Sequence, residues 1–298
     1  MTTRANGPLA GLAWLKRGFN SGRHNPRAIF GGAALLMVAA LIPGFLQAFV
    51  HAVFKPGVGG ATLIAALTTV LAVILLGPLM GGYLRVIDAS ERGQPAHAAD
   101  ILAPFRNAQD AQRLIAFSFV MLLVQLGALS LLFAVFGHVV ENLQAWYLRA
   151  VELLQNAKPG QPPELPPAPD GLGGLFSLGG LFALFVAAVF SIGLGEVALR
   201  GRSIGAAVLE GLSGAARNLL PLLLMAVVAF ALMMASSVAL LLLTGVLGLL
   251  HPMLAVVVFL PLYMLFVLVL YVVMFGVMYH LWRDVAGDAP APAAGFEA

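Results

Sequence analysis

The sequence predicts an all-α fold, a polytopic six-helix transmembrane bundle with amphipathic interfacial helices on its cytoplasmic side. Of its 298 residues, 61% are hydrophobic and 10% are charged, and the mean hydropathy is +0.97. Soluble domains carry about a quarter charged residues, so this composition excludes an ordinary water-soluble enzyme. The chain has no cysteine, which also excludes a disulfide scaffold. The apolar residues are gathered into six runs, each near the roughly 20 residues that a spanning helix needs.

The six runs set the domain organisation. They cover residues 28–50, 61–84, 114–137, 172–195, 219–244 and 253–281. Residues 1–27 form a cytoplasmic N-terminal segment with an amphipathic helix, and residues 282–298 are predicted to be a disordered cytoplasmic tail. The first run is too long for the core of a signal peptide and no A-x-A site follows it, so we interpret it as an uncleaved span. No segment between the runs is long enough for a soluble catalytic domain.

The cations give the orientation. Thirteen of the 16 Lys and Arg residues lie before the first run, after the sixth, or between the second and third or fourth and fifth runs. The other alternate segments hold only Lys55, Arg149 and Lys158. Because short basic segments stay in the cytoplasm, both termini are predicted there. We attribute the net charge of +3 to this rule and to attraction by anionic lipid, and we expect no nucleic-acid partner.

The longest extracytoplasmic segment, 138–170, has two parts. Val140, Leu143, Tyr147, Ala150 and Leu154 fall on one helical face, which predicts an interfacial helix. Six prolines between residues 159 and 169 then predict an extended polyproline spacer. It is interpreted either as a partner-docking arm or as a stiff connector. We favour the connector, since no aromatic or charged residue accompanies the prolines.

A weak internal repeat precedes each pair of spans. Apolar stripes that predict short surface helices occur three times, at Leu12, Leu15 and Phe19, at Ile101, Phe105 and Ala108, and at Ile204, Val208, Leu212 and Ala215. Asp100 and Ser203 are predicted N-caps of the second and third of these helices. The predicted unit is a surface helix followed by a spanning hairpin, used three times.

Short catalytic patterns are better explained as chance. Gly201-Arg202-Ser203-Ile204-Gly205 matches G-x-S-x-G, but no strand precedes it as a hydrolase elbow requires. An intramembrane serine protease would need Ser203 within the lipid and near a histidine, and His280 lies at the far end of its own span. Gly193-Leu194-Gly195 also lacks the strand of a dinucleotide site. The histidines are scattered, so we predict no metal and no cofactor.

Ionisable groups are missing from the centres of the six runs, where transporters commonly keep them. Glu196 comes nearest, and its spacing predicts an interfacial ion pair with Arg200 one turn later. Uncharged polar residues do occur in the spans, among them Gln47, Thr68 and Gln125. They are interpreted as helix–helix hydrogen-bonding groups, or as the lining of a path for a neutral solute.

Several short segments carry a family resemblance. They are Trp14-Leu15, Gly18-Phe19, Asn25-Pro26, Gly77-Pro78-Leu79-Met80-Gly81-Gly82-Tyr83, Arg92-Gly93-Gln94-Pro95, Asp100-Ile101-Leu102, Phe105, Arg217-Asn218-Leu219-Leu220-Pro221 and Tyr279-His280-Leu281-Trp282-Arg283-Asp284-Val285. With them the chain resembles an uncharacterised family of proteobacterial six-span inner-membrane proteins. It is loosely similar to the membrane domains attached to glycerophosphoryl diester phosphodiesterases. The resemblance implies a helical inner-membrane fold and no established activity, and no phosphodiesterase barrel is present.

Together these features predict a non-enzymatic membrane-organising, scaffold or accessory protein. The alternative is a transporter or channel for a lipidic or neutral small solute. Membrane lipids are the expected partners, with other membrane proteins or further copies of the chain as further candidates. The predicted lipid-headgroup contacts are Lys16, Arg17, Arg23, Arg106 and Arg113. Each would contribute on the order of 1 kcal/mol, or else these cations only set the topology.

Overall fold

A computed structural model of the chain confirms the all-α class. It describes residues 3–156 and 165–287, and within these ranges it contains no strand. Three short helices are α1 (Ala10–Asn20), a 3-10 helix (Ala98–Arg106) and α6 (Ile204–Arg217). The six long ones are α2 (Pro26–Phe54), α3 (Val58–Glu91), α4 (Ala108–Gln155), α5 (Leu172–Arg200), α7 (Leu219–Leu250) and α8 (Pro252–Val285). All six are long and apolar enough to cross a membrane.

The helix predicted after residue 137 is the second part of α4, which follows a kink with non-helical geometry at Phe136 (φ −117°, ψ 15°). One predicted boundary is wrong: residues 282–285, which were assigned to the disordered tail, are the last turn of α8, and Trp282 is buried. The rest of the predicted disordered tail, 288–298, lies outside the described residues, as does the proline-bearing stretch 157–164.

The chain divides into two compact units. The larger contains the described parts of Met1–Phe119 and Ala188–Ala298, and the smaller contains the described parts of Val120–Ala187. The larger unit therefore holds the three short helices, α2, α3, α7 and α8 whole, the beginning of α4 and the end of α5.

Each short helix of the larger unit precedes one spanning hairpin, in the order that the repeat predicts. The first two pack, however, against a hairpin other than their own, whereas α6 also contacts α7 and α8 of the hairpin that follows it. The 3-10 helix contacts α2 and α3, whereas α1 contacts α7 and α8 of the last hairpin. Residues of α6 lie against the end of α5. Within the larger unit, α1 thus links the first hairpin, which it precedes, to the last hairpin, against which it packs.

Glycines make these joints close. A Cβ at Gly82 of α3 would collide with the Ile101 carbonyl of the 3-10 helix, and one at Gly11 of α1 with the Pro221 carbonyl of α7. A Cβ at Gly211 of α6 would lie 2.6 Å from a carbonyl oxygen of α5. Only glycine permits backbone approach at this distance.

The second helices of the hairpins, α3, α5 and α8, meet one another. Tyr83 of α3 packs edge-on against Phe275 of α8, with ring centroids 5.1 Å apart. The Arg85 Nε donates to the Ala198 carbonyl of α5 over 2.8 Å, and Gly195 lies against the Trp282 ring. Most of the buried core lies near these contacts, whereas the opposite parts of α3, α7 and α8 expose large apolar side chains. The name 'basic end' is used below for the three short helices together with the ends of the spans against which they pack.

In the smaller unit, the second part of α4 packs against residues 165–171. The Trp146 Nε1 donates to the Pro166 carbonyl over 2.8 Å, and Val139 is buried against Gly171, which has φ +85°. Trp146 and Arg149 line the same cavity as Pro166 and Pro167. The sequence interpretation that no aromatic or charged residue accompanies the prolines was therefore wrong, because these groups come from α4.

Candidate functional site at the basic end

Asp284 ties α1 to α8. Its carboxylate accepts a hydrogen bond of 2.8 Å from the Trp14 Nε1. It also accepts hydrogen bonds from both terminal nitrogens of Arg17, and the bond from Nη1 is 3.2 Å long. Trp14 has no exposed surface, so the two donors hold the carboxylate at the edge of a buried indole. Such charge-assisted bonds are stronger than neutral ones.

Two further carboxylates join other helices in the same way. Asp88 of α3 accepts 2.9 Å bonds from the Arg92 Nε and from the Tyr279 hydroxyl of α8. The negative charge of Asp88 raises the pKa of Arg92 above its usual value. Asp110 of α4 accepts from the Arg85 Nη1 over 2.9 Å.

Glu196 is the most buried acidic side chain that the structure describes, with 0% exposure. Its Oε1 accepts from the Trp282 Nε1 over 2.8 Å and from the Arg200 Nη1 over 3.3 Å. Its Oε2 lies 3.7 Å from the Arg202 Nε. The predicted ion pair with Arg200 is confirmed. The pair is buried within the protein, because α8 covers the carboxylate.

The same cluster extends to α6 and α8. The Arg202 guanidinium also lies 3.9 Å from Oε1 of Glu210 on α6, and the Arg200 guanidinium lies 6.0 Å from the centroid of the Trp282 ring. A buried charge is tolerated when it is paired and hydrogen-bonded. This cluster therefore acts as a joint between α5, α6 and α8.

The chain before α1 holds the end of α8. The Arg4 guanidinium donates to the carbonyls of Arg283, Asp284 and Gly287 over 2.7–2.8 Å. These carbonyls belong to a helix C-terminus, where cations are favoured. Asn218, fully buried at the start of α7, accepts from the backbone of Asn6 and donates to the Arg4 carbonyl.

The five predicted headgroup contacts fall into two groups. Lys16, Arg23, Arg106 and Arg113 are exposed at the basic end. Arg17 differs, because its side chain is 38% exposed and bound to Asp284. The structure therefore leaves four of the five cations accessible to a headgroup.

The short helices also expose apolar side chains. The exposed apolar side chains are Leu9 and Phe19 at α1, Leu102 and Phe105 in the 3-10 helix, and Leu209 and Leu212 in α6. Other residues of the predicted apolar stripes, such as Ile101 and Ala215, are buried against the core. Each short helix thus presents apolar surface away from the core that it seals.

The segment around Ser203 does not form a hydrolase elbow, because it lies between helices α5 and α6 and no strand precedes it within the described part of the chain. Ser203 is exposed and occupies the N-cap position of α6, but its side chain makes no capping hydrogen bond. Asp100 is the third residue of the 3-10 helix rather than its predicted N-cap. The N-cap is His97, whose backbone N–H donates to the Asp100 carboxylate over 2.7 Å. His280 is buried, and neither ring nitrogen has a hydrogen-bond partner within the described residues.

Polar groups of the spans bond mainly to their own helices. The Thr68 hydroxyl lies 2.9 Å from the Ile64 carbonyl and 3.4 Å from the Gln47 Oε1 of the neighbouring helix. Ser236 and Thr244 donate to carbonyls one turn earlier. Such bonds satisfy polar groups in lipid without any ligand. Within the described ranges, no group of three or more metal-binding side chains occurs.

Comparisons of the chain with protein-family models, curated proteins and solved structures found no match.

Proposed function

We propose that the chain is a non-enzymatic, multi-pass protein of the bacterial inner membrane, with both termini in the cytoplasm. Its basic end serves as a rigid platform that organises lipids and other membrane proteins at the cytoplasmic leaflet. The observation that carries this proposal is the surface of the short helices, where exposed apolar side chains lie beside exposed cations. A helix with that surface binds the boundary between anionic headgroups and acyl chains.

The charge pattern supports the same function. The carboxylates of Asp88, Asp110 and Asp284 are each paired with an arginine inside the basic end. The pairing neutralises the acids next to the surface, while Lys16 and Arg106 remain exposed. An anionic headgroup would therefore meet net positive charge.

The alternative function, transport of a lipidic or neutral solute, has less support. A path for a solute needs polar groups that are free to bind it. The Thr68 hydroxyl instead lies 2.9 Å from the Ile64 carbonyl of its own helix, which satisfies its single hydrogen. We therefore favour the platform over the transporter.

Native mass spectrometry of the purified protein with phosphatidylglycerol tests the proposal. The variants are Lys16→Gln, Arg23→Gln, Arg106→Gln and Arg113→Gln, singly and combined. A cation near an anionic membrane surface is worth about 1 kcal/mol, so each single variant should bind the lipid about five-fold more weakly.

The matched control is Lys55→Gln, which removes the same charge from the loop between α2 and α3. It should retain wild-type lipid binding. If the combined variant binds phosphatidylglycerol as tightly as the wild type, the cations only set the topology and the platform proposal fails.

A further inference from the structure

The smaller unit contains a groove whose described lining includes none of the residues proposed above to contact anionic lipids. Its cavity volume is about 320 Å³, within the roughly 300–1,000 Å³ of small-ligand sites. One wall is a face of α4 with Asn142, Trp146 and Arg149. The other is the chain around Pro167, ending at Asp170.

The groove is held open by the protein's own contacts. Asn142, Trp146 and Arg149 are spaced to lie on one helix face. The Trp146 indole donates to the Pro166 carbonyl, which fixes the proline wall to the helix. The left-handed backbone at Gly171, packed on Val139, turns the chain into α5. A ligand would therefore enter a largely preformed site.

Opposite charges face this groove from its two walls. Arg149 and Asp170 are both exposed, and neither forms an ion pair with another residue that the structure describes. A ligand with one positive and one negative group would satisfy both. An anionic ligand would be repelled by Asp170, and a cationic ligand by Arg149.

We propose that this groove binds the zwitterionic headgroup of phosphatidylethanolamine. The Arg149 guanidinium and the Asn142 amide would hold the phosphate, as forked donors do. The Asp170 carboxylate would accept from the ammonium group, and the Trp146 ring would cover the methylene groups between them. In the proposed topology, the segment after the third apolar run, which carries the site, is extracytoplasmic.

Neighbouring apolar residues favour a lipid over a free headgroup. Tyr147 and Leu148, on the same turn of α4 but outside the groove face, are each 60% exposed. Tyrosine and tryptophan are enriched where headgroups meet acyl chains, so this turn has the side chains of a helix at the membrane interface. The proposal assumes that the spans lie in a bilayer, but it does not depend on the anionic-lipid contacts of the basic end.

Native mass spectrometry of the full-length protein tests the site with phosphatidylethanolamine and phosphatidylglycerol compared in separate titrations. The wild type should retain phosphatidylethanolamine better. Arg149→Gln removes the phosphate donor and should weaken phosphatidylethanolamine binding about tenfold. Asp170→Asn should remove the preference, because it weakens the ammonium contact and relieves the repulsion of phosphatidylglycerol. Lys55→Gln, the same loss of one positive charge outside the groove and outside the basic end, should leave the preference intact.

Thermal unfolding checks that the exposed substitutions at residues 149 and 170 leave the fold intact. The proposal is overturned if both variants keep the wild-type affinity and preference. It is also overturned if soluble glycerophosphoethanolamine binds as tightly as the lipid, since the acyl contacts would then contribute nothing. Loss of phosphatidylglycerol binding in the basic-end variants, with the affinity for phosphatidylethanolamine unchanged, separates the two proposals.

Discussion

Gly82→Ala tests how the short helices are joined to the hairpins. Gly82 is on α3, where the 3-10 helix crosses it. A new Cβ would lie 2.8 Å from the Ile101 carbonyl carbon and 2.9 Å from its Cα, and closer still to the carbonyl oxygen. These are backbone atoms, so a side-chain rotation cannot relieve the collision. Either the 3-10 helix or α3 must shift.

The expected cost follows from two opposing effects. Overpacking of a filled core costs about 1–3 kcal/mol, and a backbone collision belongs at the upper end. The higher helix propensity of alanine returns about 1 kcal/mol. The net loss should be about 2 kcal/mol, which lowers the melting temperature of a chain of this size by about 4–8 °C.

Thermal unfolding in detergent, followed by tryptophan fluorescence, measures this loss. Gly44→Ala in α2 is the matched control, because a Cβ there meets no atom within 4 Å. The control should be as stable as the wild type or slightly more stable. Gly11→Ala and Gly211→Ala, at the other two joints, should behave like Gly82→Ala. Equal stability of Gly82→Ala and Gly44→Ala would refute the close joint.

Three other predictions concern the polar groups of the basic end. Trp282→Phe removes a donor from the buried Glu196 carboxylate and should lower the free energy of unfolding by about 1.5–3 kcal/mol; wild-type stability in the same melting assay would contradict it. Asp284→Asn weakens the bond to Arg17, so limited proteolysis should cut α1 faster, and an unchanged cleavage rate would show that the pair does not hold α1. Ser203→Ala should change the unfolding free energy by less than about 0.5 kcal/mol, as surface changes do, since its hydroxyl makes no capping bond; a larger loss would reveal a role that the geometry lacks.

Hydropathy predicted the spans because lipid imposes a simple demand on the chain. Each crossing needs a long apolar helix that satisfies its own backbone, and that demand is visible in single runs. The Glu196–Arg200 pair was predictable for a similar reason, since residues four apart meet on a helix. Features specified locally were therefore accessible from the sequence.

Contacts between distant segments were not accessible. Trp282 looked like the start of a polar tail, because Arg283 and Asp284 follow it. Its indole is buried by α5, whose Glu196 is 86 residues away. Hydropathy measures only the residue's own side chain, and it contains no information on a hydrogen-bond partner from a distant segment.

The hairpin against which each short helix packs could not be predicted for the same reason. The apolar stripes predicted three helices, but nothing in a stripe states which hairpin it packs against. One usable signal was overlooked: α3 and α8 each carry a tyrosine five residues before an aspartate, Tyr83 with Asp88 and Tyr279 with Asp284. Both pairs contribute to joints of the basic end. Aligning them would have strengthened the repeat.

Labelling of single cysteines tests the central claim that the basic end faces the cytoplasm in a six-span chain. The protein has no cysteine of its own, so Arg106→Cys and Leu165→Cys each introduce one thiol at an exposed position. A membrane-impermeant maleimide applied to bacteria with a permeabilised outer membrane should label residue 165 and leave residue 106 unlabelled until the inner membrane is opened. Labelling of residue 106 in cells with a closed inner membrane, with residue 165 protected, would contradict the account.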